Sequence, residues 1–271
     1  MTAVSIVAEK FEELRTQKRM GFMPFLTSGD PDLETTCRLI GRFSELQADF
    51  IELGFPYSDP IADGPVIQAS YTHALNNGIR VDDILAAVAA IPNKNNLAPL
   101  IGMISYSIIH RRGVEKFLDE LSSVGFAGLI VPDYPGDDAE ELAAKVRSRK
   151  MDFIPLVAPA TPPKRMSQVL QQGSGFVYCI SQAGTTGMRD SLPETLQQYL
   201  RTIRSLTDLP LAVGFGISKP EQIEQLRTFA DGAIVGSAIV KQLEPLRTDR
   251  QNSLANLEDY IAGMADAAHK N

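Results

Sequence analysis

Eight short apolar runs, each followed by a stretch with helical patterning, constrain this chain more than any other feature. They occupy 21–27, 48–53, 99–105, 127–131, 153–158, 175–180, 209–215 and 231–235. The runs are apolar on both faces and often β-branched, as expected of strands buried on both sides of a parallel sheet. The intervening segments carry helix signals. Asp30 and Pro31 ahead of Leu33, Cys37, Ile40 and Phe43 read as an N-cap, a first-turn proline and an apolar stripe. Val114, Phe117, Leu118, Leu121 and Val124 form a second stripe. Ser191 with Glu194, and Ser218 with Glu221, have the spacing of capping boxes that open helices directly. The stretches before residue 48 and after residue 240 read as mostly helical, with 252–268 as a closing helix.

Eight βα units with no composition shift and no long linker predict one domain over 1–271. The fold class is α/β, a single (β/α)8 barrel (TIM barrel) with an extra N-terminal helix. The length of 271 residues suits this, since such barrels take about 250. Counting alone does not separate a closed barrel from an open sheet of seven or nine strands, so the motifs at the strand ends matter. In a barrel, functional groups sit at the C-terminal ends of strands and in the loops that follow.

Glu52 interrupts the second run. A carboxylate in a buried strand is costly unless it is paired, protonated or used. The plain reading is a Glu satisfied by an Arg or by loop amides; the functional one is a general acid/base with a pKa raised by apolar surroundings. The loop that follows has two X-Pro turns and two glycines, and it offers Asp59 and Asp63. Either Asp alone would pass for a turn residue. Following a strand-end Glu on the active face, at least one is assigned to function.

The seventh run ends in Gly214-Phe215-Gly216, ahead of a helix, and the eighth in Gly236-Ser237, opening another. Gly216 or Gly236 alone is an ordinary turn glycine. Together, after strands 7 and 8, they predict a phosphate pocket of backbone N–H groups at a helix N-terminus. The small, glycine-rich segment 181–190 reads either as a plain loop or as a lid.

What is missing narrows the chemistry. No Lys lies within the eight runs, which disfavours a Schiff-base aldolase. The histidines, His73, His110 and His269, show no ligand spacing, so no metal site is expected. His110, with Arg111 and Arg112, reads as the solvated start of a helix. Cys37 and Cys179 read as reduced, buried thiols, with no CxxC motif. A net charge of −7 and a pI near 5.1 argue against nucleic-acid or anionic-membrane partners, yet leave a small phosphorylated substrate open. No secretory signal or apolar span is visible, so the cytoplasm is the expected location. Carboxylate acid/base chemistry on a phosphorylated substrate remains.

Residues 51–65, Ile-Glu-Leu-Gly-Phe-Pro-Tyr-Ser-Asp-Pro-Ile-Ala-Asp-Gly-Pro, closely resemble the signature loop of tryptophan synthase α subunits. Segments 24–31, 158–163, 184–187, 214–218 and 236–241 are similar to that family at the expected places, so the resemblance covers nearly the whole chain. It implies retro-aldol cleavage of indole-3-glycerol phosphate to indole and glyceraldehyde 3-phosphate. Asp63 would take the indole N–H, and Glu52 would serve C3 and the glycerol hydroxyl. Phe25 and Tyr178 would bind substrate, and Thr186 would close onto Asp63. Gly187, Gly216, Gly236 and Ser237 would hold the phosphate.

The resemblance also implies a pyridoxal-phosphate-dependent β subunit in an α2β2 heterotetramer, with Asp59 and Pro135 at positions that contact it. No cofactor is expected in this chain; pyridoxal phosphate would belong to the partner. One stretch departs from the family. Ile104-Ser105-Tyr106-Ser107-Ile108 stands where a Tyr-Tyr-Asn-Pro-like sequence is usual, and Ser105 occupies the place of a Tyr near the substrate. Two other readings of the chain are a stand-alone indole-releasing lyase and a phosphate-binding regulatory subunit with weak catalysis. A flavin-binding barrel would share the phosphate pocket but has no need of Glu52 and Asp63.

Overall fold

The computed structural model describes residues 5–60, 63–134, 139–180, 193–214 and 216–270, apart from the side chains of 250–252. Its strands are β1 (Gly21–Thr27), β2 (Ile51–Gly54), β3 (Leu100–Met103), β4 (Phe126–Ile130), β5 (Asp152–Phe153), β6 (Leu156–Val157), β7 (Val177–Ile180), β8 (Leu211–Gly214) and β9 (Gly232–Val235). All eight apolar runs contain strand. The fifth supplies two pieces, β5 and β6, because Pro155 interrupts it: a residue with no N–H cannot continue a ladder.

The sheet runs β5-β4-β3-β2-β1-β9-β8-β7-β6, and every pairing is parallel. Its two edge strands are therefore halves of one run. Ile154 N–H donates to Leu129 O on β4 at 2.9 Å, and Tyr178 N–H of β7 donates to Pro155 O at 2.9 Å. Adjacent residues of one run thus bond β4 on one side and β7 on the other, which closes the sheet into a barrel.

Helices follow the strands: α1 (Ile6–Thr16), α2 (Leu33–Glu45), α3 (Pro65–Asn76), α4 (Val81–Ala90), α5 (Tyr106–Arg112), α6 (Val114–Val124), α7 (Ala139–Ser148), α8 (Pro163–Gln172), α9 (Glu194–Arg204), α10 (Pro220–Leu226), α11 (Ser237–Leu243) and α12 (Arg250–His269). Helix α1 precedes the first strand and packs Val7, Phe11 and Leu14 into the barrel's inner cluster. The Phe11 ring stacks on Phe50 with centroids 4.9 Å apart and lies 5.7 Å from Phe176. Phe50 and Phe176 sit just before β2 and β7, so α1 plugs the N-terminal mouth. This explains why an extra helix precedes β1: the barrel's lower apolar layer needs a lid.

Side chains alternate along each strand. Phe22, Leu26, Ile51, Leu53 and Leu100 join the outer layer beneath the helices, while Met23, Phe25, Ile101, Met103, Ala212 and Ile234 fill the interior. Two residues above Phe50 comes Glu52, and two above Phe176 comes Tyr178. The polar groups of the site thus continue the interior rows upward, toward the C-terminal face.

Three local expectations need correction. Helix α2 begins at Leu33, and its N-cap is Asp32, whose carboxylate accepts from Thr35 N–H at 2.7 Å. Asp30 is instead committed to Arg247, whose Nε and Nη2 donate to its two oxygens at 3.0 and 2.7 Å. Helix α10 is capped by Gln222, which accepts from the N–H groups of Ser218 and Lys219 at 2.8 and 3.0 Å, not by Ser218 with Glu221. His110, Arg111 and Arg112 end α5 rather than start a helix, and there the basic side chains complement the helix dipole. The other expected capping residue, Ser191, lies outside the described residues, as do Pro135 and Phe215.

Candidate active site

Glu52 is the second residue of β2, flanked in register by Phe25 of β1 and Ile101 of β3. It is fully buried, and neither carboxylate oxygen has a hydrogen-bond partner among the described residues. Burial, reinforced by the nearby Asp63 charge, pushes its pKa up to about 8. At neutral pH Glu52 therefore holds its proton. The plain alternative of a Glu neutralised by an Arg or by loop amides is not what the described residues provide.

Asp63 is half-buried at the entry to α3, and burial raises its pKa to about 6. Two neighbouring carboxyl groups thus differ in affinity for a proton, Glu52 holding its proton more tightly than Asp63. Environments that push such a pair apart assign acid and base roles.

Two phenols border the pair. Tyr71 of α3 and Tyr178 of β7 are both held well above the usual range by burial and by the charges of Glu52 and Asp63. Gly54 makes room for Tyr71 beside Phe25: a Cβ there would lie 2.5 Å from both the Phe25 ring and the Tyr71 hydroxyl. Across the barrel, a Cβ on Gly214 would lie 2.9 Å from the Tyr178 hydroxyl. Phe25, Glu52, Asp63 and Tyr178, all expected in the site, are thereby brought to one end of the barrel. Tyr71 was not foreseen. Its signal lay in the spacing Ile67, Ser70, Tyr71, Ala74, which puts it on the inward face of α3.

The strand 8 and 9 ends form the far wall. β8 ends at Gly214 beside β9, and Gly236 follows β9 as the N-cap of α11. The open position at Gly236 faces Phe25 Cβ at 3.9 Å and Ile67 Cδ1 at 3.7 Å, so it borders the same space. Gly216 has φ +65°, a left-handed conformation that favours glycine. Thr186 and Gly187 lie outside the described residues.

A cavity of about 190 Å³ opens beside Asp63, lined by Phe55, Tyr71 and Met103 within and by Ser105, Ser107 and Asp133 toward solvent. Asp59 also lines it and is exposed. The departing stretch shapes this cavity. Ser105 is the N-cap of α5; its Oγ donates to Asp133 at 2.6 Å, and Tyr106 N–H donates to the same carboxylate at 2.7 Å. The Tyr106 ring turns away to pack edge-on against Tyr134, with centroids 4.5 Å apart. Tyr106 therefore does not take over the missing tyrosine's place, and the pocket has a polar, open edge.

Fold and site together define a (β/α)8-barrel enzyme whose active face carries a buried and a half-buried carboxyl group side by side. Comparison with known proteins makes this specific. Residues 11–269 match the family model described as tryptophan synthase alpha chain, and the chain belongs to that family. The tryptophan synthase alpha chain of Microcystis aeruginosa is 42% identical over 268 residues, covering 98% of this chain and 99% of the relative. That of Thermosynechococcus vestitus is 44% identical, covering 96% and 97%. Among solved structures, tryptophan synthase of Mycobacterium tuberculosis superposes with a TM-score of 0.88 at 32% identity, covering 99% of this chain and all of the matched one. The alpha subunit from Legionella pneumophila gives 0.89 at 32% identity, covering 98% and 99%. The reaction of this chain is the alpha reaction of tryptophan biosynthesis, lyase cleavage of indole-3-glycerol phosphate.

Proposed function

We propose that Glu52 and Asp63 carry that cleavage as an acid and a base of opposite starting charge. Glu52, protonated at pH 7, delivers its proton to indole C3 while Asp63, ionised, takes the N1 proton. The product is the indolenine tautomer, in which C3 is tetrahedral and C2=N1 is an electron sink. Glu52, now a carboxylate, takes the proton of the glycerol hydroxyl next to C3. The C–C bond breaks, its electron pair re-forms the C2–C3 double bond, and N1 recovers its proton from Asp63. Indole and glyceraldehyde 3-phosphate leave, and both carboxyl groups return to their starting states. No step needs a Lys or a metal ion. The observation that supports this most directly is a fully buried Glu52 whose carboxyl has no hydrogen-bond partner among the described residues, beside Asp63.

Phe25 and Tyr178 line the indole site in this reading, and Gly216, Gly236 and Ser237 hold the phosphate through backbone N–H groups. Gly187 joins them and Thr186 closes onto Asp63; both assignments rest on the family resemblance alone. The chain works as one domain over 1–271, in the cytoplasm, and carries no cofactor of its own. No described helix is long and apolar enough to cross a membrane. Its partner is a tryptophan synthase β subunit, which holds pyridoxal phosphate in an α2β2 assembly. Asp59, exposed at the cavity rim, is assigned to that contact, and so, on the family resemblance alone, is Pro135.

Indole release from indole-3-glycerol phosphate, measured for the chain alone and with a tryptophan synthase β subunit added, tests the reading. Slow release that rises sharply with the β subunit is expected. Fast release unaffected by any β subunit would point to a stand-alone lyase. No release in either case, with glycerol phosphate still bound, would point to a regulatory subunit.

A further inference from the structure

Asp63 needs a means of being held. It lies in a loop, and among the described residues nothing donates a hydrogen bond to its carboxylate. Gly64, the N-cap of α3, makes no side-chain capping bond, and the first turn of α3 carries no acidic residue. The junction between loop and helix therefore has Pro65 at its first helical position but no side-chain cap.

One side chain reaches back across it. Gln68, the fourth residue of α3, donates from Nε2 to the carbonyl of Asp63 at 2.7 Å and to the carbonyl of Pro60 at 3.2 Å. Asp63 N–H donates to that same Pro60 carbonyl at 3.1 Å. The amide thus ties both carbonyls to α3 and fixes the backbone from which the Asp63 side chain projects.

Helix α3 is itself fixed. Ser70 Oγ donates to buried Asp30, which Arg247 grips from the far side of the barrel wall. Tyr71, the next residue, is buried against Gly54. Loop, tether, helix and clamp form one rigid path from the outer wall to the catalytic face.

We propose that Gln68 is a positioning residue: its side-chain amide hooks the loop to α3 and so holds the Asp63 carboxylate inward, in the water-poor site beside Glu52. This rests on the acid/base reading above. A primary amide suits the task because it offers two N–H donors and no charge beside the carboxylates. Asp63 is faced by Glu52 of β2, Tyr71 of α3 and Tyr178 of β7, with Tyr57, Asp59 and Asp133 around the shared cavity. None of these is a cation. Moving Asp63 outward therefore lowers its pKa by hydrating it, whereas a loss of general stability would leave its environment unchanged.

The test compares the full chain with Gln68→Met, which keeps length and shape but removes both donors. The Asp63 carboxyl is followed by carbon NMR titration on aspartate-labelled protein, its signal assigned with Asp63→Asn. A midpoint near 6 in the unaltered chain, lower by a unit or more in Gln68→Met, is expected. Turnover should fall roughly tenfold or more, since a displacement of about 1 Å costs up to about a hundredfold. Thr72→Ala, one turn along the same exposed face, should change neither quantity. An Asp63 midpoint that is the same in both proteins would overturn the proposal. If the chain released no indole yet the midpoint still moved, the catalytic reading would fall and the tether would stand.

Discussion

Arg247 and Asp30, separated by 217 positions in the chain, meet in a two-point ion pair. Asp30 is 1% exposed and the Arg247 side chain 25%. A fork of two donors on one carboxylate offsets the cost of removing that charge from water. Arg247→Ala would leave Asp30 buried without that cation, its remaining side-chain partners among the described residues being Ser70 and a more distant His73. Breaking such a pair from one side costs about 3–5 kcal/mol, and the partial exposure of Arg247 places this case at the lower end. Urea unfolding should show a loss of about 3 kcal/mol, with Arg247→Lys recovering part of it.

Gly54→Ala should be damaging although its backbone conformation is ordinary. The added methyl would stand 2.5 Å from the Phe25 ring and the Tyr71 hydroxyl, both buried groups with little room to retreat. Overpacking of this kind costs about 1–3 kcal/mol. Because the crowded residues border Glu52, steady-state kinetics should show lower turnover well beyond that expected from the unfolded fraction.

Glu52 carries a stability cost that depends on pH. Its folded pKa, about 8, lies above its ordinary value of 4.5, so between these values the folded state binds more protons than the unfolded state. Stability from this group is full below pH 4.5 and declines as pH rises toward 8. Glu52→Gln should therefore melt higher than the unaltered chain, with the gap widening from pH 5 to pH 8 and reaching a few kcal/mol at the top. Equal gaps at both pH values would remove burial as the cause.

Turnover should follow a bell. Asp63 must be ionised, which requires a pH above about 6, and Glu52 must begin protonated, which requires a pH below about 8. The two limbs belong to the coupled pair rather than to either residue alone. kcat/KM across pH 5–9 should peak near neutrality, and whatever activity remains in Asp63→Asn should lack the acid-side limb.

The barrel was legible in the sequence because buried parallel strands cannot hide: each of the eight apolar runs holds strand. Glu52 was legible for the same reason, as a charge interrupting one of those runs. The split of the fifth run was missed because Pro155 sits among apolar residues and breaks only the ladder, not the hydrophobic pattern. Asp30 was misread as a cap because Asp-Pro ahead of a helix is a strong local signal, and nothing local reveals a partner as distant as Arg247. Gln68 and Tyr71 lie on a helix whose patterning reveals its inward face but not what that face touches. The fate of the departing stretch was likewise undecidable in advance, since whether Tyr106 fills the pocket depends on the start of α5 at the Ser105 cap.

Indole release by Glu52→Gln at pH 7 bears most directly on the carboxylate pair. Gln is isosteric and neutral, as protonated Glu52 is, but it has no proton to give. Cleavage of indole-3-glycerol phosphate should fall by about a thousandfold or more, in keeping with the loss of a group that acts as both acid and base, while glycerol phosphate binds as tightly as to the unaltered chain. Turnover within tenfold of the unaltered chain would mean that Glu52 does not carry the proton.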